Sequence, residues 1–559
     1  MAEVLHYTLG ALSDRNAELW PDSQALLDLS TGENLTWREF SIRTDLLAKG
    51  FLALGLKPGQ HLALWGGSSV TWVVVQYAAA KVGLIVVSAD PEYDADQISY
   101  LLEQSDAEII LVIEGYKDKN FGTMVAGLCV DSDQGGVSRP GAGRFPTLRR
   151  FISAQGLAAP GFMTLEKVLE LGVPVPAAEL TRRKSLVKDG DVTLISYTSG
   201  TTGAPKGVMC THYGLVNKAH LSAGVMGLTQ ADRTGLCVPL YHMFGNTCAL
   251  LTGLTKGAAL ILFGQYYDTG KALKGLSEAG CTIVYGAPSQ FIAMMEHHGY
   301  LDADLSRLRG GIMGGAPCPM EVMKKVVEQM GVTEILVGYG QTEASSWVTL
   351  TRPDDPLEVR VSTIGRALEM TEIKIVDPVT GEEAASGQTG EMCTRGFLMK
   401  GYYRMPAATA QAIDGNGWLH TGDMVILDES GNGKVLGRIK DLISKNGRDI
   451  SPVDIEEALF GHPEVVEAAA FGMPGRDGNE LVAAWVKVKP GALATTQGVI
   501  DYCRNRLPDW AVPDIVHFTE YFPMTATGKI QKFKMQDITR RLLDVAGLPA
   551  GEAGPGGTA

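Results

Sequence analysis

The sequence predicts an α/β fold, a large N-terminal domain of layered β-sheets and helices followed by a small α+β C-terminal domain. Three observations carry this reading. Apolar, strand-like runs alternate with longer helical stretches over most of the chain, the pattern of largely parallel sheets covered by helices. After about residue 360 the texture changes to short strands joined by tight turns. From Arg438 a separate set of strands and helices begins, so the boundary falls near Gly437–Asp441 and divides 1–439 from 440–559.

Taken in order, His61–Trp65 reads as a strand, Val70–Val82 as an amphipathic to buried helix, and Gly83–Ser88 as a strand. Gln97–Ser105 is a helix and Glu108–Ile113 a strand; Lys117–Pro160 is loop-rich. A second run of the same alternation covers Leu236–Cys281, with a strand at Thr282–Tyr285 and a helix at Ser289–His297. Short strands follow at Glu372–Val376, Gly390–Arg395 and Met424–Leu427, the first ending in an Asp377-Pro378 turn. Ser451, Pro452 and Asp454 make a helix start: an N-cap, a proline in the first turn and an acid near the positive end of the dipole. Strands Ala468–Gly472 and Leu481–Val488 and a helix Gly498–Leu507 complete the small unit, and Ala546–Ala559, rich in Gly, Pro and Ala, is a frayed tail.

Composition narrows the function. Hydrophobic residues make up 45% and charged residues 20% of 559, which excludes a disordered chain. There are 49 Lys+Arg against 63 Asp+Glu, a net charge of −14 with no basic run, so nucleic acid is not an expected partner. The eight cysteines include no C-x-x-C pair and sit in apolar segments, as buried thiols of a reducing compartment do. No secretory signal opens the chain, and the most apolar stretch, Trp72–Val87, is broken by Gln76 and Lys81 and too short to span a bilayer. A cytoplasmic protein without an integral membrane segment is expected.

The most informative stretch is Asp191–Met209, DVTLISYTSGTTGAPKGVM. An apolar strand, Val192–Tyr197, runs into Thr198, Ser199, Gly200, Thr201, Thr202 and Gly203, and then Lys206. Glycines let backbone N–H groups approach phosphate oxygens, hydroxyls donate to them, and the ammonium offsets their charge. Pro205 stands where a Walker loop needs glycine, so this is a different phosphate loop. A flexible surface loop is the alternative that composition alone leaves open.

YTSGTTGAPKG resembles the signature loop of the adenylate-forming superfamily, which includes acyl-CoA synthetases, carrier-protein adenylation domains and firefly-type luciferases. Four further motifs recur in that family's order: GYGQTE at Gly338–Glu343, TGD at Thr421–Asp423, GRIKDLISKNGRDISPVDIE at Gly437–Glu456 and PMTATGK at Pro523–Lys529. The resemblance implies that Thr198–Lys206 holds the β- and γ-phosphates of ATP. It implies that Tyr339 stacks on adenine opposite Gly315-Ala316-Pro317, that Thr342 meets the α-phosphate and that Glu343 holds Mg²⁺. Asp423 and Arg438 would bind the ribose hydroxyls, Lys440 would be the hinge of a mobile C-terminal domain, and Lys529 would reach the reacting carboxylate and α-phosphate. Taken singly, Asp423 also reads as a turn former, Glu343 as a helix-start carboxylate, Tyr339 as core, Lys529 as a surface lysine and Arg438 as half of a surface ion pair. Order and spacing together favour the functional reading.

The implied reaction is that of an AMP-forming carboxylate–CoA ligase: acid and ATP give acyl-adenylate and pyrophosphate, and the CoA thiol then displaces AMP. No enzyme nucleophile is needed, only positioning and charge neutralisation. After the hinge this chain has NGRDI where many family members have GGENI; Asn446 and Gly447 would line the thiol channel, while Arg448 and Asp449 depart from the pattern. PLYHMFGN at Pro239–Asn246 matches the family's P-x-x-H-x-x-G, placing His242 at the carboxylate end of the acyl pocket, although a core histidine fits equally well. Gly340 stands where acetate-type members carry tryptophan, which implies room for a larger acid. Tyr285, Gly286, Gly314 and Trp347 are further wall candidates, none of them charged. The expected substrate is a medium-chain fatty acid. The alternatives are an aromatic or alicyclic acid, or a stand-alone acyl-AMP ligase that charges a carrier protein.

Overall fold

A computed structural model of the chain describes residues 3–129, 144–198, 204–316, 318–475, 478–524 and 530–545. Ser199–Gly203, Pro317, Lys529 and the predicted tail at 546–559 lie outside the described residues. Among those described, two large mixed sheets form the N-terminal part. One has nine strands and joins Gln24–Asp28, Arg233–Leu236, Ala259–Leu262, Ile283–Gly286, Gly310–Gly314 and Glu334–Gln341 in parallel, with antiparallel strands at each edge. The other has eight and is built around parallel His61–Gly66, Ile85–Ala89, Ile109–Ile113 and Val192–Thr198.

The strands read as unbroken apolar runs because both faces of each sheet are covered. Leu62 and Leu64 point to one core, Ala63 and Trp65 to another; Leu260 and Leu262 join the first while Ile261 joins a third. The shared core lies between the sheets and contains the helix Val70–Val82, buried on nearly all sides. Ser69 caps that helix through the Trp72 N–H, and Gly83 ends it at φ +77°. Its two polar interruptions are satisfied internally. Lys81 Nζ lies 2.7 Å from Asp14 and 2.6 Å from Asp45, and Gln76 exchanges amide hydrogen bonds with Asn246.

Most predicted elements shift by one to three residues at their ends. The loop-rich reading of Lys117–Pro160 misses a helix at Phe121–Leu128 and a strand at Arg150–Ser153. Asn120 caps that helix, and the Glu114 carboxylate accepts from the N–H groups of Phe121 and Gly122, which ties it to the end of the neighbouring strand. All eight cysteines are free thiols; Cys129 and Cys318 are half-buried and the other six buried.

Glu372–Val376, Thr389–Arg395, Leu419–Leu427 and Gly433–Arg438 form a four-stranded antiparallel sheet. A short turn at Ile439–Asp441 leads to the hairpin Ile443–Lys445/Arg448–Ile450. Helix Pro452–Phe460 then starts at Ser451, whose hydroxyl accepts from the Asp454 N–H. Strands Val465–Pro474, Glu480–Val488 and Ile515–Phe518 form the sheet of the small C-terminal part, with a core of its own. No helix among the described residues is long and apolar enough to cross a membrane.

Candidate active site

A cavity of about 610 Å³ opens between the N-terminal sheets and the small C-terminal part. Five predicted nucleotide residues line it, Gly315, Ala316, Tyr339, Asp423 and Arg438, together with Gly340 and Lys440. They come from separate elements. Gly315 leaves the strand Gly310–Gly314 at φ +82°, and Tyr339 lies near the end of the adjacent parallel strand. Asp423 and Arg438 are directly opposite in an antiparallel pair, with Arg438 Nε 3.4 Å from Asp423 Oδ1.

Asp423 is not an isolated turn former. The Tyr339 hydroxyl donates to its Oδ2 at 2.5 Å. The bulge that aims the carboxylate is pinned by Thr421, whose hydroxyl donates to the Met392 carbonyl at 2.6 Å, and by Gly422, at φ +71°, whose N–H donates to Glu391 at 2.9 Å. Burial, then the Asp423 charge, hold the Tyr339 phenol well above its ordinary pKa.

A second cluster stands on the phosphate-loop side. Thr198 and Lys206 face each other across the hairpin that carries the loop, and Tyr100 donates to the Pro205 carbonyl at 2.9 Å, anchoring its return. The Lys206 ammonium lies 4.9 Å from the centre of the Tyr402 ring, and the Tyr402 hydroxyl donates to Glu343 Oε1 at 2.8 Å. Glu343's other carboxylate oxygen accepts no hydrogen bond among the described residues, so the group suits a hard divalent cation such as Mg²⁺. Tyr402, which sequence reasoning missed, thus links Lys206 to Glu343.

Thr342 and Glu343 form one 3₁₀ turn, followed by Ser345 at φ +60° and Ser346 at φ +137°. Two successive non-glycine residues with left-handed φ are costly and concentrate at functional sites. Along this hairpin Gln341 Nε2, Ser345 Oγ and Trp347 Nε1 are buried without a hydrogen-bond partner among the described residues, a state that a bound polar ligand relieves. Gln341 lines the cavity as well.

The predicted acyl-pocket residues sit behind this hairpin. Phe244 packs edge-on against Trp347 at 5.4 Å and Tyr285 at 6.3 Å, between centroids. A Cβ on Gly314 or Gly338 would come within 2.9 Å of the Trp347 indole, so these glycines seat that ring. Gly340 has a backbone reason of its own, since a Cβ there would approach the Ser346 carbonyl oxygen to 2.1 Å. Gly286 abuts Phe291, and the fully buried Tyr285 donates its hydroxyl to Met226 sulfur at 3.2 Å. His242 is half-buried and its Nδ1 accepts the Phe244 N–H at 3.2 Å, which puts the proton of the neutral ring on Nε2. The P-x-x-H-x-x-G spacing has a steric cause: a Cβ on Gly245 would lie 2.1 Å from the Pro239 carbonyl oxygen.

The C-terminal part closes the cavity with one face of helix Pro452–Phe460, from Pro452 to Phe460, and with Ile530–Phe533, which follow Lys529 in the chain. Lys532 Nζ is 2.7 Å from Glu456, and Lys434 bridges to Asp454 at 3.0 Å. Asn446 and Gly447, by contrast, form the exposed tip of a hairpin and do not line the cavity. Their φ of +55° and +72° fit a two-residue turn of the Asn-Gly kind.

Residues 13–403 match the model of the AMP-binding enzyme family, and 454–529 match that of the AMP-binding enzyme C-terminal domain. The chain belongs to the AMP-binding enzyme family. This AMP-binding enzyme is 38% identical to the putative acyl-CoA synthetase YngI of Bacillus subtilis, over 98% of this chain and 100% of that protein. It is 34% identical to the mitochondrial medium-chain acyl-CoA ligase ACSF2 of Danio rerio, over 94% and 87%. Among solved structures it superposes on the anthranilate CoA ligase AuaEII in complex with anthranoyl-AMP, with a TM-score of 0.85 and 25% identity, over 97% and 99% of the two chains. The chain is an AMP-forming acyl-CoA synthetase that takes ATP, Mg²⁺ and CoA. The division at 439/440 falls within residues 404–453, which neither family model covers.

Proposed function

We propose that this ligase activates a medium-chain, apolar carboxylic acid in the cytoplasm. The supporting observation is the buried cluster of Phe244, Tyr285 and Trp347 behind the Gln341–Trp347 hairpin, three aromatic rings packed together with no charged side chain among them. Medium-chain ligases among the relatives and free thiols throughout fit the same reading. An aromatic acid is the second reading, favoured by the similarity to an anthranilate ligase and by ring-on-ring packing in that cluster.

The residues divide the work. Tyr339, Asp423 and Arg438 hold the adenosine, with Gly315-Ala316-Pro317 on the other face of the base. Thr198–Lys206 takes the β- and γ-phosphates, and Thr342 meets the α-phosphate. The substrate carboxylate, oriented at the His242 end of its pocket, attacks the α-phosphorus and pyrophosphate leaves. Lys529, the residue before the cavity-lining segment Ile530–Phe533 in the chain, offsets negative charge on the reacting oxygens. Glu343 would hold Mg²⁺, which when bound would supply further charge neutralisation on the phosphates. For the second step the small domain turns about Lys440, withdrawing Lys529 and bringing Asn446 and Gly447 to the thiol channel. The CoA sulfur then attacks the acyl carbonyl, the bond to the phosphate oxygen breaks, and AMP leaves while the thiol proton passes to solvent.

Pyrophosphate release over acids from acetate to long-chain fatty acids, with benzoate and cyclohexane carboxylate, with and without CoA, tests the reading. It predicts CoA-driven turnover with a maximum at medium chain length. A maximum at ring acids selects the second reading, and preference for acetate or for a charged acid contradicts both.

A further inference from the structure

The hairpin assigned to the thiol channel carries one feature that neither adenylation nor the family pattern uses. The Arg448 guanidinium lies 4.3 Å from the centre of the Trp510 indole. Both are on the surface. Trp510, 42% exposed, is the one exposed tryptophan among the chain's eight. It projects from a 3₁₀ turn, Asp509–Ala511, and is held there by the buried Ala511 and Val512 that follow it.

Charge bookkeeping around the hairpin leaves Arg448 as its uncompensated cation. Lys445, its cross-strand partner, is neutralised by Asp514 at 2.6 Å. Asp449 is the next residue along the strand and projects from the opposite face of the ribbon, level with Ser444. Among the described residues Arg448 makes no ion pair and no hydrogen bond; its one partner is the indole. A guanidinium held over an aromatic face keeps its N–H donors available, and arginine can grip phosphate with two parallel hydrogen bonds. The hairpin itself is braced, because the Asn446 N–H donates to Asn479 at 2.7 Å and the Ser444 N–H to Glu480 at 2.8 Å. An exposed cation without an ion-pair partner among the described residues, on a braced tip in a chain of net charge −14, suits a polyanionic ligand that arrives at this face.

We propose that Arg448, held by Trp510, binds the phosphates of the CoA nucleotide, so that the hairpin grips the substrate's distal end while Gly447 admits its thiol arm. This rests on the reading that the hairpin enters the thiol channel. Arg448 is the binding residue and Trp510 a positioning residue.

The test compares kcat/KM for CoA with kcat/KM for pantetheine, which has the same thiol arm but no nucleotide, on one preparation of each variant. The ratio does not depend on how much of the protein is folded. Arg448→Ala is expected to lower it about tenfold, a loss in line with one charge-assisted hydrogen-bonded contact. Arg448→Lys should not restore it, and Trp510→Ala should lower it by a smaller factor that Trp510→Phe recovers. Dephospho-CoA locates the contact. If wild type already treats it as poorly as Arg448→Ala treats CoA, the 3′-phosphate is read; if it still responds to the substitution, the diphosphate is. An unchanged ratio in Arg448→Ala, or an effect confined to the KM for ATP, overturns the proposal. Gly447→Val separates the two levels. If it slows thioester formation from both thiols while Arg448→Ala leaves the ratio unchanged, the platform alone falls. If it slows neither, the hairpin reading falls and the platform with it.

Discussion

The hydroxyl of Tyr339 donates to the Asp423 carboxylate at 2.5 Å, joining two motifs 84 residues apart across one wall of the cavity. The bond gives both residues a fixed orientation before any nucleotide arrives. Preorganised polar groups of this kind lower the cost of binding.

Removing that donor leaves a buried carboxylate short of one hydrogen bond. Tyr339→Phe is therefore expected to raise the KM for ATP about tenfold while the acid's KM moves little. Steady-state kinetics with each substrate varied in turn checks this; an unchanged KM for ATP would mean that the pair plays no part in nucleotide binding.

Tyr402 steadies Glu343 from a different strand. Tyr402→Phe should lower the adenylation rate by roughly tenfold, the scale of one hydrogen bond to a charged group. It should also raise the Mg²⁺ concentration needed for half-maximal rate, because the carboxylate loses its fixed position. ATP–pyrophosphate exchange across a magnesium titration reads both effects. A lower rate with the same magnesium requirement would assign Tyr402 to Lys206 instead.

Phe244 stands between Trp347 and Tyr285, edge-on to both, in the cluster proposed to receive the acid's tail. Phe244→Leu should shift preference toward longer or bulkier acids by roughly tenfold in relative kcat/KM, at a cost of about 1–2 kcal/mol in stability. Competition between two acids of different length, with products separated by chromatography, measures the shift. An unaltered preference would place the acyl tail elsewhere.

Lys218 is fully buried, and its ammonium donates to Thr371 at 2.8 Å with the Phe397 ring 5.9 Å away. Burial lowers its pKa from 10.5 to about 7. Between those values the unfolded chain binds more protons than the folded one, so this residue makes stability rise with pH from about 7 to 10.5 and stay level below 7. The slope approaches about 1.4 kcal/mol per pH unit at its steepest. Lys218→Met should flatten that segment and stabilise the protein at neutral pH, as denaturant melts at several pH values would report. An identical slope in the variant would assign it to other groups.

How far the sequence could be read depended on whether the signal was local. Val70–Val82 was legible to the residue because Ser69 and Gly83 cap it with their own chemistry. The Glu372–Val376 strand ends where the Asp377 side chain accepts from Val379 and Thr380, a turn written in adjacent residues. Helix Phe121–Leu128 was illegible because the Glu114 carboxylate that meets its first N–H groups belongs to the preceding segment and is oriented only by the fold. Tyr402 escaped notice for a related reason. Its meaning comes from pairing with Val208, nearly two hundred residues away, which no spacing rule reveals. Gly340 was read as space for substrate, and its neighbour Ser346 adds a backbone contact that one residue type could not disclose.

The most direct test of the two-step division is Lys529→Ala, assayed separately in each half-reaction. ATP–pyrophosphate exchange should fall by several orders of magnitude, while conversion of preformed acyl-adenylate to acyl-CoA should proceed at nearly the wild-type rate. Equal loss in both half-reactions, or loss in neither, would contradict a lysine that serves adenylation and then withdraws.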